Sequence, residues 1–380
     1  MSSIRIRTTH TGSLPRSPEL VRRLKEERAT GGPRSESLEQ QATEEINASV
    51  RQQIEAGIDI VGDGEISKEG FFSYITQRIG GFSGEWARPW PQDITAFPQY
   101  AASLAARVGD PMAGVPEATS VLSYAGPEAV EEDCDVLIAA LEANGHPVGD
   151  GFMTAPSPGI LASAMRNHHF DSYGAYLDAL SHELAHEYRS IVQKGLTLQI
   201  DSPDLAMERT IAFQDRPLSE FLDAVEQHVD ALNKAIEGLP PERIRVHCCY
   251  GNHPAPHVFD VDLAAVLPLI TKAKVGAIGV PFASPRHQHE IGLVGELGIP
   301  TDMTLVAGVV DVTTPYFEHP RVVSQRLQSV VRAVGDPERV IASPDCGFAT
   351  FAGMSWLTPD LVWPKLHILR EGADLAAEAL

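Results

Sequence analysis

Short apolar runs ending on glycine or polar residues alternate along this chain with longer amphipathic stretches. Eight runs stand out, at residues 4–9, 59–62, 151–154, 197–200, 244–247, 275–280, 304–310 and 340–342. Each is rich in β-branched or apolar residues, as strands covered on both faces are. Between them, Leu177, Leu180, Leu184, Tyr188 and Ile191 recur at three- and four-residue spacing, as do Val323, Leu327, Val330 and Val334. That stripe belongs to a helix lying on a sheet. The same pattern predicts helices over 37–56, 128–144, 219–236, 261–271 and 359–376, and one near 289–297 that Gly292 and Gly295 interrupt. Eight strands joined by helical crossovers predict an α/β fold, a single (β/α)8 TIM barrel spanning residues 1–380. A doubly wound sheet is the rival, but no Gly-x-Gly-x-x-Gly opens any of these helices.

Residues 66–126 break the alternation. Gly80-Gly81-Phe82, Trp86, Pro89, Trp90, Pro91 and Pro98 precede a strand-like stretch at 118–123. This predicts an insertion after the second strand, a hairpin with a loop. Two placements are open, a lid over the barrel mouth or an elaborated edge.

Composition narrows the class. The 380 residues carry 30 Lys+Arg against 51 Asp+Glu, a net charge of −21, whose field repels nucleic acid and anionic membranes. A 43% hydrophobic content excludes disorder and suffices for a large core. No apolar run reaches the roughly 18–20 residues of a membrane span, and residues 1–7 lack the apolar stretch of a signal peptide. Four cysteines, two of them adjacent (Cys248 and Cys249), are too few for a disulfide scaffold. The expectation is a cytoplasmic enzyme with reduced thiols.

Chemistry gathers where the apolar runs end, which in such a barrel is the catalytic face. The endings are His10-Thr11-Gly12-Ser13, Asp63-Gly64-Glu65, Asp201-Ser202-Pro203, His247-Cys248-Cys249-Tyr250-Gly251-Asn252 and Ser343-Pro344-Asp345-Cys346-Gly347. Alternate residues of a strand face one way, so His247 and Cys249 can meet at one metal, with Cys346 across the mouth. Nitrogen and sulfur donors favour zinc, whereas the competing reading makes these cysteines small buried hydrophobes. Cys134 reads as structural, and Cys248 points away from its neighbours into the helix layer. Glu65 and Asp201 form a general acid–base pair, anchor an amine or cation, or serve as structural hydrogen-bond partners. Ser13 after Gly12 offers a hydroxyl and an N–H to a substrate carboxylate. His168-His169 reads as a surface feature. Arg286-His287-Gln288-His289-Glu290 reads as a solvated helix start or as a further ligand set on the same face.

Five of these motifs, with His10-Thr11-Gly12-Ser13-Leu14-Pro15-Arg16, Gly62-Asp63-Gly64-Glu65 and Gln199-Ile200-Asp201-Ser202-Pro203 in extended form, together resemble the cobalamin-independent methionine synthase family. The likeness is to its catalytic barrel, in the right order over nearly the whole chain. It implies Zn2+ held by His247, Cys249 and Cys346. It further implies that His10, Gly12, Ser13, Glu65 and Asp201 lie around an amino-acid or thiol substrate, with Glu65 and Asp201 in catalysis. In the family, zinc keeps a thiol as thiolate for attack on an electrophilic carbon, with no redox cofactor. The implied partners are a small thiol and a methyl or alkyl donor, of the 5-methyltetrahydrofolate and homocysteine type. The family also contains epoxyalkane:coenzyme M transferases, which define an alternative. Further alternatives are a metal-free acid–base barrel (decarboxylase or hydrolase) and a non-catalytic ligand-binding barrel.

Three departures qualify the likeness. Pro281 stands where the family commonly supplies a zinc-binding glutamate, just before Phe282-Ala283-Ser284-Pro285-Arg286. Either three residues hold the metal and leave a position open, or a neighbour such as Glu290 substitutes. The family's Asp-Glu-Pro appears as Asp201-Ser202-Pro203, and Asp311-Val312-Thr313-Thr314-Pro315 lacks the histidine that assists methyl transfer. An anionic folate would need a local cation, for which Arg16, Arg166 and Arg286 are the candidates. The sequence carries no signal for oligomeric state.

Overall fold

A computed structural model describes residues 4–30, 34–108 and 114–380. Strands β1 (Arg7–Thr8), β2 (Val61–Gly62), β3 (Ile79–Trp86), β4 (Val115–Tyr124), β5 (Gly151–Pro156), β6 (Thr197–Asp201), β7 (Ile244–His247), β8 (Ala277–Pro281), β9 (Thr304–Val310) and β10 (Val340–Pro344) follow one another along the chain. Eight of them form one parallel sheet in the order β1-β10-β9-β8-β7-β6-β5-β2. Its two edges meet where Thr9 bridges Ile60 in parallel and the Ile60 N–H donates to the Thr8 carbonyl at 3.0 Å. The sheet thereby curls into a (β/α)8 barrel, the fold that the alternation predicts.

The α-helices among the described residues are α1 (Pro18–Thr30), α2 (Glu36–Glu55), α3 (Gln92–Thr95), α4 (Pro98–Val108), α5 (Pro127–Ala143), α6 (Pro158–Ala164), α7 (Tyr173–Gln193), α8 (Leu218–Ala235), α9 (Leu263–Ile270), α10 (Glu290–Leu297), α11 (Pro320–Val334) and α12 (Pro359–Glu378). Their ends are written locally. The Ser172 hydroxyl accepts from Ala175 N–H to start α7, and α11 opens on Pro320 and closes on Gly335 at φ +82. The apolar stripe of α7 is buried at Leu180, Leu184, Tyr188 and Ile191, as its spacing requires. Among the described residues no helix is long and apolar enough to cross a membrane.

A polar column fills the barrel interior. Arg245 on β7 stacks over the Phe152 ring at 3.9 Å. It donates to Gln199 Oε1 (2.8 Å), Thr9 Oγ1 (3.0 Å) and the His10 carbonyl (3.1 Å). Those bonds satisfy a buried guanidinium and orient Gln199, whose amide donates to Asp201 Oδ1 at 2.7 Å.

The insertion is an antiparallel hairpin of β3 and β4, and the connection between the two strands carries α3 and α4. Its base is tied to the barrel through Glu187 of α7, which is 1% exposed. This carboxylate accepts from Tyr74 Oη (3.0 Å), from Tyr124 Oη (2.6 Å) and from the Arg78 guanidinium, which also reaches Asp133 on α5. Removing one partner of a buried charge network leaves the others desolvated and unpaired. Glu187→Ala is therefore expected to cost about 3–5 kcal/mol in urea unfolding. A loss under about 1 kcal/mol would show that this knot does not hold the insertion in place.

Candidate active site and metal centre

The C-terminal ends of β7 and β10 bring His247, Cys249 and Cys346 together. Their donor atoms all lie within 4.8 Å of one another, and the two sulfurs are 3.9 Å apart. All three side chains are buried, and His247 Nε2 has no hydrogen-bond partner in the protein. The hydrogen bond from Cys346 and the nearby His247 imidazole hold the Cys249 thiol well below its ordinary range, against the cost of burial. The same contacts push Cys346 up. Burial lowers the His247 value, but the neighbouring Cys249 sulfur more than offsets it. The triad is thus an imidazole beside a thiolate-prone sulfur, a donor set suited to zinc.

Pro281 ends β8 and offers no side-chain donor. Glu290 is occupied elsewhere: its carboxylate accepts from the Leu263 N–H (2.8 Å) and from Tyr250 Oη (3.2 Å), and it faces His287 Nδ1 at 3.0 Å. The suggestion that Glu290 replaces the missing family glutamate is therefore corrected. α10 starts at this residue, and its first turn points the carboxylate at the loop before α9. The other cysteines stay out of the centre, since Cys248 is buried with its N–H on the Gly279 carbonyl and Cys134 packs on Met153.

Glu65 and Asp201 line the same cavity as the triad. Both are raised from the ordinary carboxylate range, foremost by burial, and each Glu65 charge is further opposed by Asp201. The imidazole of His247 and the Gln199 amide favour the ionised form of Asp201. Glu65 is pushed up to about 8 and Asp201 to about 6, so near neutral pH Glu65 favours its neutral form and Asp201 its ionised one. Thr154 Oγ1 donates to Glu65 Oε1 at 3.1 Å, while Oε2 is buried without a partner. Glu65 also sits at φ +54, a backbone strain that persists where surrounding contacts over-determine it. Arg16 supplies such contacts by donating to the carbonyls of Glu65 (2.5 Å), Ile66 (3.2 Å) and Ala349 (2.8 Å).

Ser13 reaches the cavity wall, and its Oγ accepts from the Ala349 N–H at 3.2 Å. Two glycines allow this approach: a Cβ on Gly12, at φ +95, would collide with Glu65 Oε1, and one on Gly347 with Ser13 Oγ. His10 lies behind the wall, where Nε2 accepts from the Gly62 N–H at 3.2 Å and the ring meets Phe152 edge-on. Burial lowers its pKa to about 3, so the ring is neutral. Neither His10 nor Gly12 is among the residues that face the cavity.

The cavity, of about 350 Å³, has mostly apolar walls. Trp90, Pro91 and Ile94 from the insertion line it together with Met207, Phe351 and Trp356. None of the three candidate arginines faces it. Arg16 is spent on carbonyls, Arg166 stacks on Trp86 at 3.8 Å, and Arg286 donates to the His257 carbonyl. The cations present, Arg28 and Arg88, are paired with Glu69 and Glu208. The sequence reading had not singled out Arg88, Glu208 or Met207. Arg88 and Glu208 are 120 positions apart, with no local pattern to join them. Asn252 closes the other side, donating to the Gly347 carbonyl and accepting on its own carbonyl from Trp356 Nε1 at 2.7 Å. Its Oδ1 is left unpaired.

A parallel barrel whose strand ends converge two carboxylates, an imidazole and two thiols on one cavity defines a metal-competent barrel enzyme. The model of the family described as cobalamin-independent synthase, catalytic domain, matches residues 6–96 and 138–362. The chain belongs to the cobalamin-independent methionine synthase family and is a transferase of that type. The stretch between the two matched segments contains α4 and β4, so half of the hairpin lies outside the family pattern. The methionine synthase of Saccharolobus solfataricus is 24% identical over 98% of this chain and 95% of its own length. That of Thermococcus kodakarensis is 25% identical over 98% and 94%. A B12-independent methionine synthase from Shewanella sp. W3-18-1, solved with selenomethionine, has the same fold. It superposes with a TM-score of 0.75 at 20% identity, covering 99% of this chain and 98% of that one.

Proposed function

We propose that this protein is a zinc-dependent transferase that carries a methyl or other alkyl group to the sulfur of a small thiol. Homocysteine is the first thiol to consider, since the relatives named above are methionine synthases. One observation carries the reading: a buried, partnerless His247 Nε2 converges with two cysteine sulfurs on the cavity that holds Asp201 and Glu65. One imidazole and two thiolates suit zinc with three protein ligands, which leaves a fourth position for substrate. Zinc bound there would supply the positive charge that keeps a substrate thiol deprotonated at neutral pH.

The chain's own groups do the positioning. Asp201, ionised, binds the substrate ammonium, and Gln199 and Arg245 hold it in place. Ser13 presents its hydroxyl to the substrate carboxylate, and Glu65 keeps a proton at Oε2 beside it. We assign Trp90, Pro91 and Ile94 of the insertion the role of a lid that keeps water from the electrophile. In the transfer, a sulfur–carbon bond forms, the bond from that carbon to its leaving group breaks, and the thiol proton is released.

The apolar wall favours a second version of the same chemistry, in which the donor is a small uncharged electrophile such as an epoxide. A polyglutamyl folate would bring several negative charges to a cavity whose cations are already paired. A competition assay checks this. Homocysteine and 2-mercaptoethanesulfonate are each offered 5-methyltetrahydrofolate and 1,2-epoxypropane, and the products are identified by mass spectrometry. Products from the epoxide in excess are the expected outcome. Methionine alone, formed from the folate, would restore the family's usual donor.

A further inference from the structure

A second cluster of metal-competent side chains lies outside the site just described. His257 and Asp260 sit in the long loop between β7 and α9, and His287 precedes α10. Their ligand atoms lie within 4.8 Å of one another. His257 Nδ1 and His287 Nε2 each approach the same oxygen, Asp260 Oδ2, at 2.8 Å. The geometry points to a second divalent-metal site, of the zinc class, formed by His257, Asp260 and His287.

Three features argue for an ion there rather than a network of protons. For Oδ2 to accept from both rings, both facing nitrogens must carry hydrogen. The His287 Nδ1 also faces Glu290 Oε2 at 3.0 Å, so this ring would have to be a buried imidazolium. A divalent ion in place of the two shared protons lets every group keep its ordinary form, with neutral imidazoles and an ionised carboxylate. Second, His287 already has the surroundings of a metal ligand. Glu290 fixes its tautomer through Nδ1, and that carboxylate is itself held by the Leu263 N–H and Tyr250 Oη. The Tyr250 ring stacks on His287 with centroids 3.8 Å apart and 4° between the planes, so the imidazole cannot swing away. Third, His257 is held at φ +54, which turns its Nδ1 back onto Asp260 three residues on.

Two imidazoles and a carboxylate suit zinc, cobalt or nickel. The ion would clasp the loop after β7 to the start of α10. The same loop is tied to the insertion, because Asp93 on α3 accepts from the N–H groups of Val258 (2.6 Å) and Phe259 (3.3 Å). The site is thus a metal clasp at the foot of the cavity's covering segment.

Metal uptake tests it. Protein stripped of metal is titrated with Co2+, and the bound equivalents are counted after gel filtration by mass spectrometry. The parent is expected to retain two equivalents. Asp260→Asn, and separately His257→Gln, should each retain one while keeping the intense near-ultraviolet thiolate-to-cobalt band. Cys346→Ser should also retain one equivalent but lose that band. The inference is overturned if the parent saturates at one equivalent that both clasp variants keep. It is also overturned if a second equivalent survives in both of them. The band reports the thiol-rich centre separately, so failure of either site is recognised by itself.

Discussion

Cys346→Ser is expected to yield folded protein that takes up no zinc at the thiol-rich centre and shows no thiol alkylation. Serine nearly preserves volume at a position that is 8% exposed, so the thermal transition should move little. The chemistry changes sharply. A neutral hydroxyl, a poor zinc ligand, replaces one of the two sulfur donors. With one imidazole and one thiol left, the metal site loses the donor count it needs. A bound metal contributes several kcal/mol to charge stabilisation, so turnover should fall by roughly a thousandfold or more. Zinc content and rate, measured on the same preparations, decide it. Activity that survives both the substitution and exhaustive chelation would move the reaction to Glu65 and Asp201 as a metal-free acid–base pair.

Asp201→Asn produces the second large effect, and it depends on the thiol offered. The carboxylate is buried at the end of β6 and aligned by the Gln199 amide at 2.7 Å. A hydrogen bond to a charged group contributes about 1.5–3 kcal/mol. Loss of an ammonium partner should therefore raise KM for homocysteine by about a hundredfold, with zinc still bound. The same variant should bind 2-mercaptoethanesulfonate almost as well as the parent, because that thiol has no amine. Equal losses with both thiols would instead place Asp201 in the orientation of His247. Glu65→Gln should be the milder change, because burial pushes Glu65 further toward its neutral form than Asp201.

Much of the architecture was legible because it is periodic. Strands covered on both sides must be apolar throughout and helices on a barrel must carry a stripe, so the alternation announces the fold. Boundaries shifted by one to three residues, as with the last strand residue Pro281, since strand ends are set by pairing with a neighbour. The insertion was legible as a hairpin with a loop, but not in what the loop contains or what anchors it. Its Trp and Pro residues do not reveal that two helices separate the hairpin strands, nor that Glu187, far along the chain, holds its base.

The same division runs through the site. Sequence alone determined which chemical groups stand at the strand ends, because a parallel strand delivers its last residues to one rim of the barrel. His247, Cys249, Cys346, Glu65, Asp201 and Ser13 were found in that way. Tertiary structure alone decided what each of them meets. It put His10 behind the wall, turned Glu290 from a substitute ligand into the partner of His287, and spent Arg16, Arg166 and Arg286 away from the cavity. It also brought His257, Asp260 and His287 to one oxygen-centred cluster that no spacing in the chain discloses. The physical reason is range. Hydrophobic periodicity acts between neighbours three or four positions apart, whereas hydrogen bonds and ion pairs are settled between loops whose positions only the closed barrel defines.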